Sequence, residues 1–361
     1  MSTQTYKCPS CGAGIAFNPD KQKFACEYCL SEYTQQEIDS FYAEKLMREE
    51  QKQEQKQERE EASPEAEASE QEHMAEYVCD SCGAHVVTTE TTAATFCYYC
   101  HNPVVLVGRL SGEFKPDLVL PFHVSKDSAV ASFEEWARKH RYLPSDFASP
   151  DQLEKMTGLY LPYWLNDASV SVDFQGSSQK IRTWRVGDYI YTETSVFEHE
   201  RRGAVVFDDL PAIAFSKFDP DLLRAVTPFD MTEAENFTPS YLSGFFAEQF
   251  DMDKNDVAPI LEEAAKGYSN TMLYEGLRYT GPITEKYKNL SPALGDWELV
   301  LLPTWVLTYE YLGKVYVYAV NGQTGKTYGE LPLNRSKLLM HGGLTAAAVL
   351  ALGLLAGFFL F

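Results

Sequence analysis

Along residues 104–334, apolar and polar positions alternate mostly with the two-residue period of strands, interrupted by a few stretches of helical period. Val104–Leu110 and Leu118–Val124 read as strands, and 127–140 as a helix burying Val130, Phe133 and Trp136/Ala137. Ser149-Pro150-Asp151-Gln152 supplies an N-cap, a proline at the first helical position and a glutamine at the third, with Gly158 closing that short helix. Strands are predicted through 159–174, 180–198 and 203–207, and helices over parts of 230–250 and 256–268. Trp305–Tyr311 and Lys314–Val320 form a hairpin pattern, after which Asn321-Gly322 begins a turn toward a strand near 326–330. Leu120-Pro121-Phe122, Leu161-Pro162-Tyr163-Trp164 and Leu302-Pro303-Thr304-Trp305 each place proline at the predicted start of an apolar strand, which suggests related β units packed into one core.

The two ends differ from this middle. Thr34-Gln35-Gln36-Glu37 is a capping box opening a helix with Ile38, Phe41 and Tyr42 on one face. Residues 35–76 then carry 14 acidic against 5 basic side chains, the composition of an exposed helix running into a spacer. From Leu338 to Phe361 no side chain is formally charged, and the 20 residues from Gly342 onward are long enough, at about 1.5 Å per residue, to span about 30 Å of hydrocarbon. This reads as a transmembrane helix and tail anchor. Arg335 and Lys337 just before it place residues 1–337 in the cytoplasm, giving a single-pass protein of the cell membrane.

All eight cysteines fall into two copies of one spacing, Cys-x2-Cys-x14-Cys-x2-Cys. Cys8, Cys11, Cys26 and Cys29 make the first, and Cys79, Cys82, Cys97 and Cys100 repeat it 71 residues later. Flanking residues repeat too, Tyr6-Lys7-Cys8-Pro9-Ser10-Cys11-Gly12-Ala13 against Tyr77-Val78-Cys79-Asp80-Ser81-Cys82-Gly83-Ala84. Four thiolates in paired knuckles suit tetrahedral Zn2+, so two Zn2+ per chain are expected. The glycine after each first knuckle allows a left-handed turn. His85 and His101 lie beside these sites, but each site already has four sulfurs.

The chain carries a net charge of −21, and neither cysteine segment brings the lysines and arginines that neutralise phosphates. Nucleic-acid binding through the ribbons is therefore disfavoured. Gly322-Gln323-Thr324-Gly325-Lys326-Thr327 imitates a phosphate loop, but the position of the required first glycine holds Val320, so it reads as a plain turn. Asp208-Asp209 and Asp251-Met252-Asp253 lack a full calcium loop. His123, His140 and His199 have no partner at catalytic spacing in the sequence, and with every cysteine assigned to metal none is left as a nucleophile. No enzyme is expected.

Taken together, the chain resembles a bacterial family of membrane proteins with a zinc ribbon of the transcription-factor-IIB type. The carrying residues are Lys7-Cys8-Pro9-Ser10-Cys11-Gly12, Phe24-Ala25-Cys26-Glu27-Tyr28-Cys29, the second ribbon and Leu161-Pro162-Tyr163-Trp164. The resemblance implies partners: members are similar to a protein encoded beside a phage-shock protein A homologue and a flotillin-like (SPFH) protein, which it helps bring to the membrane.

The expected architecture is α+β: a zinc ribbon over 1–34, an acidic linker over 35–76, a second ribbon over 77–103, an aromatic β-rich α+β domain over 104–334 and a transmembrane helix over 338–361. The expected function is a membrane-anchored cytosolic scaffold that docks protein partners, with the lipid bilayer contacted through the C-terminal helix and self-association left open. The alternative is a membrane-tethered zinc-ribbon protein that binds nucleic acid in replication or transcription.

Overall fold

The computed structural model describes residues 5–45, 74–79, 85–89, 91–97, 103–106, 109–110, 112–144, 146–217, 225–277 and 281–360. Strands β1 (Ala16–Asn18), β2 (Lys23–Ala25) and β3 (Glu32–Tyr33) form a small antiparallel sheet, followed by helix α1 over 35–45. The capping box forms as expected: the Thr34 N–H donates to Glu37 Oε2 (2.8 Å) and the Glu37 N–H to Thr34 Oγ1 (3.3 Å). β4 (Met74–Val78) and β5 (His85–Thr89) pair with each other.

A ten-stranded mixed sheet dominates the rest. Its members are β6 (Thr92–Phe96), β7 (Pro103–Val105), β8 (Leu118–Val119), β9 (Thr157–Val186), β10 (Tyr189–Ile213), β11 (Glu235–Asn236), β12 (Phe246–Glu248), β13 (Ile283–Tyr311), β14 (Lys314–Asn321) and β15 (Thr327–Gly329). Helices α2 (Lys126–Arg138), α3 (Pro150–Leu153), α4 (Lys254–Leu273) and α5 (Arg335–Leu360) complete the described elements.

Three long antiparallel strands, in the order β10-β9-β13, are the spine of this sheet. Their alternation explains how it is covered. On β9, Ala168, Val170 and Phe174 face one way and are buried, whereas Asp167, Ser171 and Gln175 face the other and are exposed. Helix α4 lies on the apolar side with an unbroken four-residue repeat, Val257, Leu261, Ala265, Ser269 and Leu273, all buried. Asp253 caps its start through a capping box with Asp256. At its end the Arg201 guanidinium donates to the carbonyls of Leu273 (2.8 Å) and Glu275 (2.9 Å), satisfying oxygens that the helix leaves unpaired.

The three Leu-Pro units do meet in this sheet. Leu161 and Leu302 are register partners on β9 and β13, and the Leu120 N–H donates to Leu301 O (3.0 Å). Phe122 packs on Trp305 and lies stacked against Phe245 at 4.3 Å. Pro162 and Pro303 sit inside their strands rather than at strand starts.

Several expectations need correction. The fold is mostly β-sheet, built on the ten-stranded mixed sheet with a few helices, rather than the expected α+β arrangement ending in a transmembrane helix. Over 230–250 the chain makes two 3-10 turns, at Met231–Glu233 and Pro239–Leu242, with β11 between them and β12 after, because Glu235–Asn236 and Phe246–Glu248 are drawn into the sheet by β8, β6 and β9. The terminal segment is helical in α5, tied to the body by Asn334 N–H to Tyr142 O (2.8 Å) and Lys337 Nζ to Leu143 O (2.8 Å). Among the described residues, however, no helix is long and apolar enough to cross a membrane. The expected transmembrane helix over 338–361, its tail anchor and the single-pass cell-membrane placement are therefore withdrawn. A stretch without formal charge is not thereby apolar: the described part of α5 opens with Arg335 and Lys337 and contains His341, Gly342, Gly343 and Thr345.

Candidate metal centre

Two hairpin knuckles build the site, and each uses the same backbone bonds. In the first, the Cys8 N–H donates to Ala13 O (2.6 Å) and the Gly12 N–H to Cys8 O (2.8 Å). In the second, the Cys26 N–H donates to Ser31 O (3.0 Å) and the Leu30 N–H to Cys26 O (2.9 Å). Both turns close through a left-handed residue, Gly12 at φ 77° and Leu30 at φ 60°. The resulting sulfurs converge. Cys8 and Cys29 lie 3.5 Å apart, Cys11 and Cys26 3.6 Å apart, and all four sulfurs fall within 4.8 Å of one another. A tetrahedral centre with metal–sulfur bonds near 2.3 Å has sulfur–sulfur edges of about 3.8 Å, so this cluster fits one metal ion with little adjustment.

Burial separates the ligands. Cys8 and Cys26 belong to the main hydrophobic core, while Cys11 is exposed and Cys29 half-buried. Their electrostatics differ as well. The Ser31 hydroxyl (3.3 Å from Sγ) and N–H stabilise the Cys29 thiolate and lower its pKa to about 6 against the opposition of burial, with Cys11 and Cys8 helping. For Cys11 the Ala13 backbone bond lowers the pKa, but burial and the hydrogen-bonded thiols of Cys29, Cys26 and Cys8 outweigh it and the net value is about 12. Tyr33 reaches the site too, its hydroxyl 3.7 Å from Cys8 Sγ. Cysteine spacing alone does not point to Ser31 or Tyr33. The only sequence hint is a hydroxyl two residues beyond the last ligand.

The module does not stand apart from the body. The Phe17 N–H donates to Ser243 O (3.0 Å), and the Ser243 hydroxyl donates back to Ile15 O (2.6 Å). Gln22 donates to Phe122 O (2.8 Å), and Ser240 to Asp39 (2.7 Å). Gly244, at φ 98°, lets the backbones close: a Cβ there would lie 2.7 Å from the Ala16 Cβ.

Of the second cysteine set, Cys79 and Cys97 are buried together with Val104 and Leu106, while Cys82 and Cys100 lie outside the described residues. Among the described residues, the four cysteines of the first set are the one group of potential ligands placed closely enough to hold a metal ion. His85 opens β5, and His101 lies outside the described residues. The phosphate-loop imitation is a turn between β14 and β15, as expected. His199 does acquire a partner that the sequence did not suggest: its Nε2 lies 2.8 Å from Ser178 Oγ across the β9–β10 ladder. Asp209 sits at a bulge in β10 with φ 51°, and burial, Asp167 and Asp208 raise its carboxyl pKa.

No family model matches this chain, and no solved structure matches it. Over 353 residues it is 29% identical to a protein of Bacillus subtilis (strain 168) named "Uncharacterized protein YdjG", a match covering 98% of this chain and 97% of that one.

Proposed function

We propose that this chain is a non-enzymatic scaffold whose first cysteine site holds a structural Zn2+ and whose β-rich body docks partner proteins. One observation carries the reading: the four sulfurs lie within 4.8 Å of one another, and two of them are core residues of a module stitched to the main sheet. A closed four-cysteine site leaves no open position for substrate, and structural zinc contributes directly to folding. The ion would brace the docking of β1, β2 and α1 on the sheet. A second Zn2+ at Cys79, Cys82, Cys97 and Cys100 belongs to the same proposal, supported by the repeated spacing and by the burial of Cys79 and Cys97.

For partners, the family resemblance directs the first search to a flotillin-like (SPFH) protein and a phage-shock protein A homologue. Native mass spectrometry of the purified chain should give two Zn2+ per chain, with Cys8→Ser losing one. Affinity purification of the tagged chain should recover the flotillin-like protein. A metal-free chain, or recovery of neither partner, defeats the corresponding half of the proposal.

A further inference from the structure

β13 accompanies β9 only from Thr157 to Ser178, and the last buried contacts of α4 reach Phe174. Beyond that point, among the described residues, β9 and β10 continue without a third strand for eight more residue pairs, from Gln179↔Val196 to Val186↔Tyr189. The result is a two-stranded arm closed by the turn at Gly187-Asp188, reaching roughly 26 Å past the spine at about 3.3 Å per residue. An isolated two-stranded ribbon is marginal in water. This one also leaves roughly 900 Å2 of large apolar side chains exposed, about what one partner contributes to a specific interface.

The exposed residues lie on both faces of the arm. On β10, Tyr189, Tyr191 and Phe197 point to one side, and Ile190 and Val196 to the other. A partner lying across one face would leave the opposite set in water. A strand added along the edge uses both sets at once. Among the described residues β10 pairs with β9 alone, so every second residue from 189 to 198 turns its N–H and C=O to an unoccupied edge. Exposed edges are normally blunted by proline, lysine or a bulge. The segment Tyr189-Ile190-Tyr191-Thr192-Glu193-Thr194-Ser195-Val196-Phe197 has no proline or lysine, and the register there is unbroken.

We infer that the occupant of this edge is the same edge of a second copy, joined antiparallel about a twofold axis at Thr194. That register sets Tyr191 opposite the second copy's Phe197, Thr192 opposite its Val196 and Glu193 opposite its Ser195. The first two are favourable aromatic and β-branched pairs, and between residues 189 and 199 no like charges stand opposite one another, although Ile190 meets the second copy's Glu198. Charge selects the arm as the meeting point. The chain carries −21, whereas Lys180, Arg182 and Arg185 against Asp188 and Glu193 leave the arm near neutral. Joined arm to arm, the near ends of the acidic bodies stay roughly 20 Å apart, beyond the screening length of about 8 Å at physiological salt. The contact is isologous, so it closes at two chains.

Sedimentation equilibrium of the full chain through the micromolar range tests this. The wild type should approach twice 40.8 kDa, and the Ile190→Lys/Val196→Lys variant should stay at the single-chain mass with unchanged metal content. Ile181→Lys supplies the control: it lies on the same face of the arm but on β9, whose edge the proposed contact does not use, and should leave the dimer intact. Thr194→Cys, oxidised with diamide, should cross-link two chains through the introduced position, read by peptide mass spectrometry. A single-chain mass for the wild type at every concentration overturns the inference. So does dissociation by Ile181→Lys with the β10 variant still dimeric.

Discussion

Leu30 occupies in the second knuckle the place that Gly12 occupies in the first. Each follows the second cysteine of its pair, each donates its N–H to the carbonyl of the first, and each adopts a left-handed backbone, at φ 60° and 77°. For glycine this conformation is free, but for leucine it costs about 1–2 kcal/mol. Leu30 recovers nothing by packing, since it is 81% exposed. Leu30→Gly should therefore stabilise the module by about 0.5–1 kcal/mol, after allowing for the extra freedom of glycine in the unfolded chain. Denaturant titration of the chelator-treated protein and a zinc competition assay should both shift upward. A lower zinc affinity would contradict this account of the second knuckle.

Cys29 and Cys11 should react very differently once metal is removed, and in the reverse of what exposure suggests. Cys11 is the exposed thiol, but its pKa is about 12, whereas Cys29 is near 6. At neutral pH Cys29 is mostly thiolate and Cys11 almost wholly thiol. The lower intrinsic nucleophilicity of a low-pKa thiolate offsets part of this, leaving Cys29 at least about tenfold faster toward iodoacetamide. Peptide mapping over time reads the ratio. The linkage has a definite sign. Because folding lowers the Cys29 pKa, its contribution to the stability of the metal-free fold is complete above its ordinary value of 9.0 and fades as pH falls through about 6.

The first cysteine site was legible because metal ligation restricts residue type and spacing together, and the repeat supplied a second reading of both. Local signals also carried through: the capping box at Thr34, the helix around Phe133 (Lys126–Arg138) and the hairpin of β13 and β14 all appear close to their expected places. The length of β9 was not legible. It runs for 30 residues because β10 and β13 supply partners along it. The pairing with β13 joins residues more than a hundred positions apart and leaves no local trace, and the sequence pattern both broke this strand after 174 and ran the expected strand 180–198 through the turn into β10. The docking of the module was equally hidden. It rests on single hydrogen bonds such as Phe17 N–H to Ser243 O, joining segments separated by more than two hundred residues.

That docking makes Gly244 a sensitive position. Gly244→Ala places a Cβ 2.7 Å from the Ala16 Cβ in a backbone region, φ 98°, that alanine resists. Strain and overpacking together should cost about 2–4 kcal/mol. The cysteine frame itself is untouched, so metal content should stay at the wild-type value while the thermal midpoint falls. Hydrogen exchange at the Phe17 amide, bonded to Ser243 O, should quicken. Loss of metal with no change at Phe17 would mean that the module folds independently of this contact.

Asn321 organises the turn that imitates a phosphate loop, and it does so with a buried amide satisfied at both ends. Its Nδ2 donates to Val226 O (3.0 Å) and Pro228 O (3.1 Å), while its Oδ1 accepts from the N–H groups of Gln323 (2.8 Å) and Thr324 (2.9 Å). Gly322 then passes so close to Phe122 and Pro303 that a Cβ would lie 2.7 Å from each. Asn321→Leu leaves those donors and acceptors unpaired in the interior and should destabilise the chain by about 2–4 kcal/mol. Asn321→Asp isolates the donor half. An ionised carboxylate keeps the two accepted bonds but turns negative charge toward the carbonyls of Val226 and Pro228, so this site should favour the protonated acid. Folding then raises the carboxyl pKa, and the penalty of Asn321→Asp relative to wild type should grow as pH rises through the carboxylate range and shrink below it. Thermal midpoints of the two proteins between acid and neutral pH check this; a gap that does not change with pH would mean that the two carbonyls do not depend on the amide.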